Sequence, residues 1–184
     1  MSPPPPAATL LVHGIWDNVT RLRPLRDGLQ RRGVRALRMV ELSPSDGTVP
    51  LETLAGQLQR PASDAAGDGM VDVVGFSMGA LVTRYWLQRL GGNTRTRRFV
   101  SISGPHHGTL TAFALPLPGP RQMRPGSTFL HDLELDADPF RGVEVHCVYT
   151  PLDAMIVPAT SSVLRGARTT RALAVPLHRW MISD

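Results

Sequence analysis

The sequence predicts an α/β fold in which about six mainly parallel strands form one sheet, with helices on both of its faces. Short apolar runs alternate along the chain with segments whose apolar residues recur at helical spacing. The apolar runs are nearly continuous, which is typical of strands buried on both faces of a parallel sheet. The six predicted strands are Thr9–Val12, Val34–Leu42, Met70–Val74, Phe99–Ser103, Val143–Tyr149 and Thr170–Val175.

Three helices are predicted from apolar residues at helical spacing and from the prolines and glycines that begin or end them. Apolar residues from Val19 to Leu29 recur on one helical face, and a second helix begins near Pro50 and ends before Pro61. A third helix begins at Ser77 and ends at the glycines that start with Gly91. Helices of this length between buried strands are the crossovers that a parallel sheet requires.

Length and composition predict one domain. The chain has 184 residues, of which 42% are hydrophobic, and it can bury a sizeable core. We expect residues 1–7 to form a flexible, proline-rich tail and residues 8–184 to form a single domain. Residues 1–6 lack a basic start and a long apolar run, so we expect no secretory signal and a cytoplasmic location. No apolar stretch reaches the roughly 18 residues that a membrane span needs.

Arginine supplies all of the side-chain positive charge that the chain carries at pH 7 with its histidines neutral. All twenty basic residues are arginine, and the net charge is +5. The arginines are scattered, and no aromatic stacking platform accompanies them, so we expect no nucleic-acid binding. A solvated basic surface and attraction to an anionic lipid interface both remain open. The single cysteine, Cys147, lies in an apolar run and is predicted to be a core residue.

A serine flanked by two glycines follows the third predicted strand, where the chain is expected to turn tightly. Gly75-x-Ser77-x-Gly79 stands between an apolar run and a helical pattern, the context that a nucleophile elbow requires. Such a turn exposes the serine hydroxyl and aims free helix N–H groups at it. Ser77 is therefore the predicted nucleophile.

The serine needs a base and an acid that orients the base. His178 follows the last predicted strand and leaves room for an acid between it and Ser77 in the chain. Asp153 follows the fifth strand, at the edge of the sheet where Ser77 is expected. The sequence therefore predicts Asp153 and His178 as the partners of Ser77.

The remaining predicted site residues surround these three. Backbone N–H groups of Met78 and Ile15 are expected to form an oxyanion hole. Residues 104–127 are rich in proline, leucine and alanine, and we predict that they flank the mouth of the site. His106 and His107 begin that segment and are expected near substrate. The apolar side chains predicted to favour an acyl chain are Ile15, Trp16, Met78, Phe113, Leu115 and Ile156.

Together these motifs resemble the α/β-hydrolase superfamily, and within it the small bacterial lipases and esterases that lack a cap domain. The resemblance rests on Leu11-Val12-His13-Gly14, on Gly75-Phe76-Ser77-Met78-Gly79, on Asp153 with Ile156-Val157-Pro158, and on the late His178. Pro105-His106-His107-Gly108-Thr109 is also similar to a stretch of bacterial triacylglycerol lipases. The resemblance implies a minimal α/β-hydrolase fold without a cap domain.

The activity that the resemblance implies is hydrolysis of small-molecule or lipid carboxylic esters through an acyl-enzyme, with no cofactor. The sequence shows no convincing set of metal ligands, so we expect no metal site. A thioesterase or acyltransferase with the same three residues is a second interpretation. A non-catalytic protein of the same fold that binds a ligand or partner is a third.

Overall fold

The computed structural model describes residues 8–183, so the predicted tail at residues 1–7 lies outside the described residues. Six strands form one sheet in the order β2-β1-β3-β4-β5-β6, and every neighbouring pair is parallel. The strands are β1 (Ala8–Val12), β2 (Leu37–Val40), β3 (Val71–Phe76), β4 (Thr96–Ile102), β5 (Glu144–Tyr149) and β6 (Thr169–Ala172).

Helices cover both faces of this sheet. The α-helices are α1 (Arg23–Arg31), α2 (Leu51–Gly56), α3 (Gln59–Ala66), α4 (Met78–Arg89), α5 (Pro118–Gln122) and α6 (Thr128–Glu134). One face packs against α2, α3, α4 and α6 in the larger core cluster. The other face packs against α1 and two 3₁₀ turns, Val19–Leu22 and His178–Ile182. The predicted fold class is confirmed: this is a minimal α/β fold, and residues 8–183 include no separate cap domain.

Side chains of the central strands alternate between the two faces. In β1, Leu10 belongs to the larger cluster and Leu11 to the smaller one. In β3, Val73 and Val74 divide in the same way. Both sides of β1 and β3 are therefore buried, which explains their largely apolar sequences, whereas every residue of the edge strand β6 is exposed.

Two helical segments differ from the sequence prediction. The helix predicted to end before Pro61 is two helices, and Pro61 lies in the first turn of α3, where its missing N–H is not needed. Helix α6 was not predicted, although Ser127 caps it by accepting a hydrogen bond from the Leu130 N–H at 3.2 Å. The segment 104–127 contains a 3₁₀ turn, Leu110–Ala114, and α5.

The carboxyl ends of β1, β3, β4 and β5 meet at one edge of the sheet. Val12 pairs with Gly75, Gly75 with Ser101, and Ser101 with Cys147. The loops that follow these strands are therefore neighbours, as open parallel sheets require at the edge where ligands bind. No helix in the part of the chain that the structure describes is long and apolar enough to cross a bilayer.

Candidate active site

Ser77 occupies a tight turn between the end of β3 and the start of α4. Its backbone, with φ 54° and ψ −125°, is in a conformation that L-residues rarely adopt. Gly75 and Gly79, two residues before and two after Ser77, have to be glycines because other backbone atoms lie too close for a Cβ. A Cβ at Gly75 would lie 2.6 Å from Ala80 Cα, and one at Gly79 would collide with the carbonyl oxygen of His13. The turn thus presses α4 against the segment after β1 and holds Ser77 at the sheet edge.

The segment after β1 is fixed by the buried ring of His13. The Leu42 N–H donates to His13 Nε2 at 2.9 Å, so Nε2 carries no proton, and Nδ1–H donates to the Gly14 carbonyl oxygen at 2.9 Å. Because the carbonyl and N–H of a trans peptide point in opposite directions, the Ile15 N–H is turned away from the ring. The Ile15 N–H donates to no group within residues 8–183. The Met78 N–H, at the first position of α4, has no acceptor in its own helix.

Asp153 and His178 form a direct hydrogen bond. His178 Nδ1–H donates to Asp153 Oδ2 at 2.7 Å, and Asp153 Oδ1 accepts from the N–H groups of Met155 and Ile156 at 2.9 and 3.0 Å. Burial opposes ionisation of Asp153, but these donors outweigh it, and the pKa of the carboxyl lies below its ordinary value. The ionised carboxylate holds the hydrogen on Nδ1, which leaves Nε2 of the neutral imidazole as an acceptor.

Two adjoining cavities open at Ser77. The larger, of about 490 Å³, is called the His178 cavity because His178 lines it, and the Phe76 ring packs 4.9 Å from the His178 ring. The smaller, of about 70 Å³, is called the apolar cavity, and the walls of both cavities are mainly apolar. Ile15, Trp16, Ser77 and Met155 line both. The other residues of the apolar cavity are Pro105, Thr109, Thr111, Ala112, Leu115, Pro120, Met123 and Ile156.

The loop that carries Asp153 is fastened to the loop after β4 by Thr109. The buried Thr109 hydroxyl donates to the Met155 carbonyl oxygen at 2.8 Å and accepts from the Val157 N–H at 2.9 Å. The Thr111 hydroxyl also donates to the Met155 carbonyl, at 2.7 Å. The acid loop is therefore tied to the wall of the apolar cavity. The sequence did not single out Thr109, because one threonine carries no chemical signal by itself.

The two predicted histidines after β4 do not line the cleft. His106 is fully buried, its Nε2 lies 2.7 Å from Ser101 Oγ, and its ring packs edge-on against Phe99. His107 is exposed, and its Nδ1 lies 3.4 Å from Glu134. One ring points into the core and the other to the surface, because residues at a strand end can turn either way.

Of the apolar residues predicted to contact an acyl chain, some line a cavity and others do not. Leu115 and Ile156 line the apolar cavity. Phe113 is 57% exposed, and its ring lies 5.0 Å beneath the guanidinium of Arg124 rather than in either cavity. The Met78 side chain is fully buried in the core, so only its backbone N–H can face a ligand.

A second carboxylate, Asp17, lines the His178 cavity and was not predicted. Burial raises the pKa of Asp17, against the charge of Arg21, whose Nε lies 3.8 Å from the carboxylate. In the described part of the chain, no three His, Cys, Asp or Glu side chains are grouped to hold a metal ion. The cleft is thus lined by the Ser77 hydroxyl and by the His178 imidazole, which is held by the Asp153 carboxylate.

Comparison with known proteins identifies the family. The sequence pattern of the family described as palmitoyl protein thioesterase matches residues 9–136. This match covers more than half of the chain and contains all but the first residue of β1, the strands β2 to β4 and the Ser77 turn. The chain belongs to the palmitoyl protein thioesterase family. Asp153 and His178 lie beyond the matched residues, and no curated protein sequence matches the chain.

Solved structures show the same fold in lipases. Lipase B of Aspergillus fumigatus superposes with a TM-score of 0.81 at 14% identity, over 96% of this chain and 49% of the lipase. The mature lipase BlEst2 of Bacillus licheniformis gives a TM-score of 0.77 at 12% identity, over 100% of this chain and 89% of that one. A lipase-esterase related protein of Clostridium acetobutylicum gives 0.66 at 14% identity, over 96% and 89%.

The chain spans about half the length of the Aspergillus lipase, and identities this low establish the fold alone. Together with the family match, the fold places this member of the palmitoyl protein thioesterase family in the α/β-hydrolase superfamily. The resemblance predicted from the sequence motifs is confirmed at this level.

Proposed function

We propose that the chain is a serine hydrolase that cleaves acyl esters through an acyl-enzyme, with Ser77 as nucleophile. One observation carries the proposal: the imidazole of His178, held by Asp153 at 2.7 Å, lines the same cavity as the strained Ser77. A hydroxyl, a neutral imidazole and a buried carboxylate in this arrangement form the minimal set for nucleophilic acyl transfer.

The steps follow from the protonation states described above. Ser77 Oγ attacks the ester carbonyl carbon while His178 Nε2 accepts the hydroxyl proton, and Asp153 stabilises the imidazolium that results. The N–H groups of Ile15 and Met78 donate to the carbonyl oxygen as its negative charge develops. His178 then protonates the departing alcohol, and the carbon–oxygen bond to the alcohol breaks. Water attacks the acyl-enzyme by the same route and releases the acid and free Ser77.

The two cavities receive different parts of the substrate. Because His178 must protonate the leaving group, the leaving group occupies the His178 cavity. The acyl chain then extends into the apolar cavity, whose walls include Leu115, Met123 and Ile156. Burial of an acyl methylene there contributes about 0.8 kcal/mol of binding free energy. Apolar side chains around the mouth also favour approach of a lipid ester.

A thioester is the second candidate substrate, and the family match favours it. A thiol leaves as a thiolate, with a pKa of about 8.5, and so depends less on protonation by His178 than an alcohol does. The His178 cavity, at about 490 Å³, has room for a bulky thiol. Transfer of the acyl group to an alcohol instead of water would use the same steps.

The test is hydrolysis of p-nitrophenyl esters, from acetate to palmitate, and of acyl thioesters of the same chain lengths. Ser77→Ala should lower kcat by at least about 10⁴-fold, because Ser77 carries the one hydroxyl among the described residues that line the His178 cavity. Ser43→Ala changes an exposed serine outside the cleft and should keep full activity. The ratio of ester to thioester kcat/KM decides the substrate class.

A fluorophosphonate that labels serine nucleophiles provides the second readout. It should modify Ser77 in the wild-type chain and leave Ser77→Ala unmodified. Full activity of Ser77→Ala would refute the proposed nucleophile. A wild-type chain that is neither labelled nor active would support a non-catalytic binding protein instead. Acyl products on an added alcohol acceptor would indicate an acyltransferase.

A further inference from the structure

Trp16 combines backbone strain with an exposed aromatic side chain. Its φ is 57°, in the left-handed region that bulky residues rarely adopt, and 55% of its surface is exposed. The fold therefore gains little from burying this indole. A strained residue that packing does not explain is a candidate for a functional role.

The backbone on both sides of Trp16 is held in place. The Trp16 N–H donates to the Ser45 carbonyl oxygen at 2.8 Å, and the Ser45 hydroxyl donates to the Asp17 carbonyl oxygen at 2.7 Å. The Asp17 N–H points back to the Gly14 carbonyl oxygen at 3.4 Å. These contacts hold the left-handed conformation and fix the direction in which the indole leaves the backbone.

That direction places Trp16 on the boundary between the two cavities. Of the four residues that line both, Ile15 and Ser77 form the less exposed floor, whereas Trp16 and Met155 are 55% and 43% exposed. Trp16 and Met155 therefore stand above the floor, with the apolar cavity on one side and the His178 cavity on the other. The compartments differ sevenfold in size, at about 70 and 490 Å³.

We propose that Trp16 is a specificity-determining residue, a fixed partition that separates the acyl compartment from the leaving-group compartment. The inference rests on the proposed function. With the partition in place, the acyl chain is confined to the smaller compartment, and short acyl groups are preferred. Without the indole, the compartments join at the reacting carbon, and a longer chain can extend into the larger one.

The test compares Trp16→Gly with the wild-type chain on p-nitrophenyl octanoate and butyrate. Glycine accepts the left-handed conformation without strain, so the variant should melt no lower than the wild type. The octanoate-to-butyrate ratio of kcat/KM should rise at least about tenfold, the selectivity that a pocket gains or loses with one or two methylenes. Trp16→Phe keeps an aromatic wall and should keep the ratio within about threefold.

The matched control is Arg141→Gly. Arg141 also has a positive φ, at 41°, and it lines neither compartment. This variant relieves strain of the same kind and should leave the ratio unchanged. A Trp16→Gly ratio within twofold of the wild-type ratio, or a clear loss of stability, would refute the partition while leaving the proposed function intact. Absence of both hydrolysis and Ser77 labelling in the wild-type chain would refute the proposed function itself, and the partition with it.

Discussion

Replacing Thr109 by valine tests whether the acid loop depends on its link to the loop after β4. Valine has the shape of threonine but lacks the hydroxyl, so the side chain still fills its buried site. The Val157 N–H loses its acceptor, at 2.9 Å, whereas the Met155 carbonyl keeps a second donor in Thr111, at 2.7 Å. The Asp153 carboxylate, which is held by the N–H of Met155, then loses part of its support.

The size of the effect follows from one unsatisfied, partly buried N–H. Such a group costs about 1–2 kcal/mol, which for a chain of this length lowers Tm by about 2–8 °C. The largest conceivable effect on kcat is the roughly 10⁴-fold loss seen when a triad carboxylate no longer orients its histidine. Because Thr109→Val loosens Asp153 without removing it, we expect kcat to fall about 10–100-fold. KM should change little, because the side chain keeps its shape.

Steady-state kinetics and thermal melts of three variants give the answer. Thr109→Ser restores the hydroxyl and should recover most of kcat. Thr111→Val removes a hydroxyl from the same cavity wall without touching the Val157 N–H, so it should change kcat by less than about threefold. Equal losses in Thr109→Val and Thr111→Val would show that a polar cavity wall matters and that the link between the loops does not.

Two further predictions concern stability. Burial holds the pKa of His106 well below its usual value, so below about pH 6.5 the unfolded chain binds a proton more readily than the folded chain does. The stability present above pH 6.5 therefore falls as the pH is lowered, by at most about 1.4 kcal/mol per pH unit. Thermal melts should show a shallower fall for His106→Gln, and equal slopes would contradict this. Gly79→Ala should lower Tm by about 2–12 °C, because its Cβ meets the His13 carbonyl oxygen, whereas Gly56→Ala, with open space at its Cβ, should raise Tm slightly. The reverse order would be inconsistent with the packing of α4.

The fold could be predicted because its determinants are local and repeated. The central strands β1 and β3 to β5 each contain a short apolar run, whereas all four residues of the edge strand β6 are exposed. Strand β1, predicted at Thr9–Val12, spans Ala8–Val12. The Gly75–Gly79 turn could also be located, since only glycine permits the approach of α4 to the preceding strands. Strand ends were placed less well: β2, predicted from Val34 to Leu42, spans only Leu37–Val40, and β4, predicted from Phe99, begins at Thr96 because its first three residues are polar.

The candidate site could be predicted only as far as chain position determines it. Ser77 and Asp153 follow strands that end at the same sheet edge, and the hydrogen bond from His178 to Asp153 agrees with that expectation. Their catalytic roles stay predictions. The same rule also selected His106 and His107, because a position at a strand end does not determine which way a side chain turns. Contacts between loops, such as those of Thr109, depend on the folded chain.

The anchoring of residues 13–17 to residues 42–45 has a consequence for redesign. The Leu42 N–H, the Ser45 carbonyl and the Ser45 hydroxyl each bond to the first segment, at 2.9, 2.8 and 2.7 Å. A foreign loop grafted at 13–17 alone would lose the bond to the His13 ring unless it kept that histidine, and it would keep the bonds at positions 16 and 17 only with the same backbone conformation. Both segments are therefore best exchanged as one module. The stretch between the anchors, including α1, could be lengthened or shortened without altering the module, provided that β2 keeps its register beside β1.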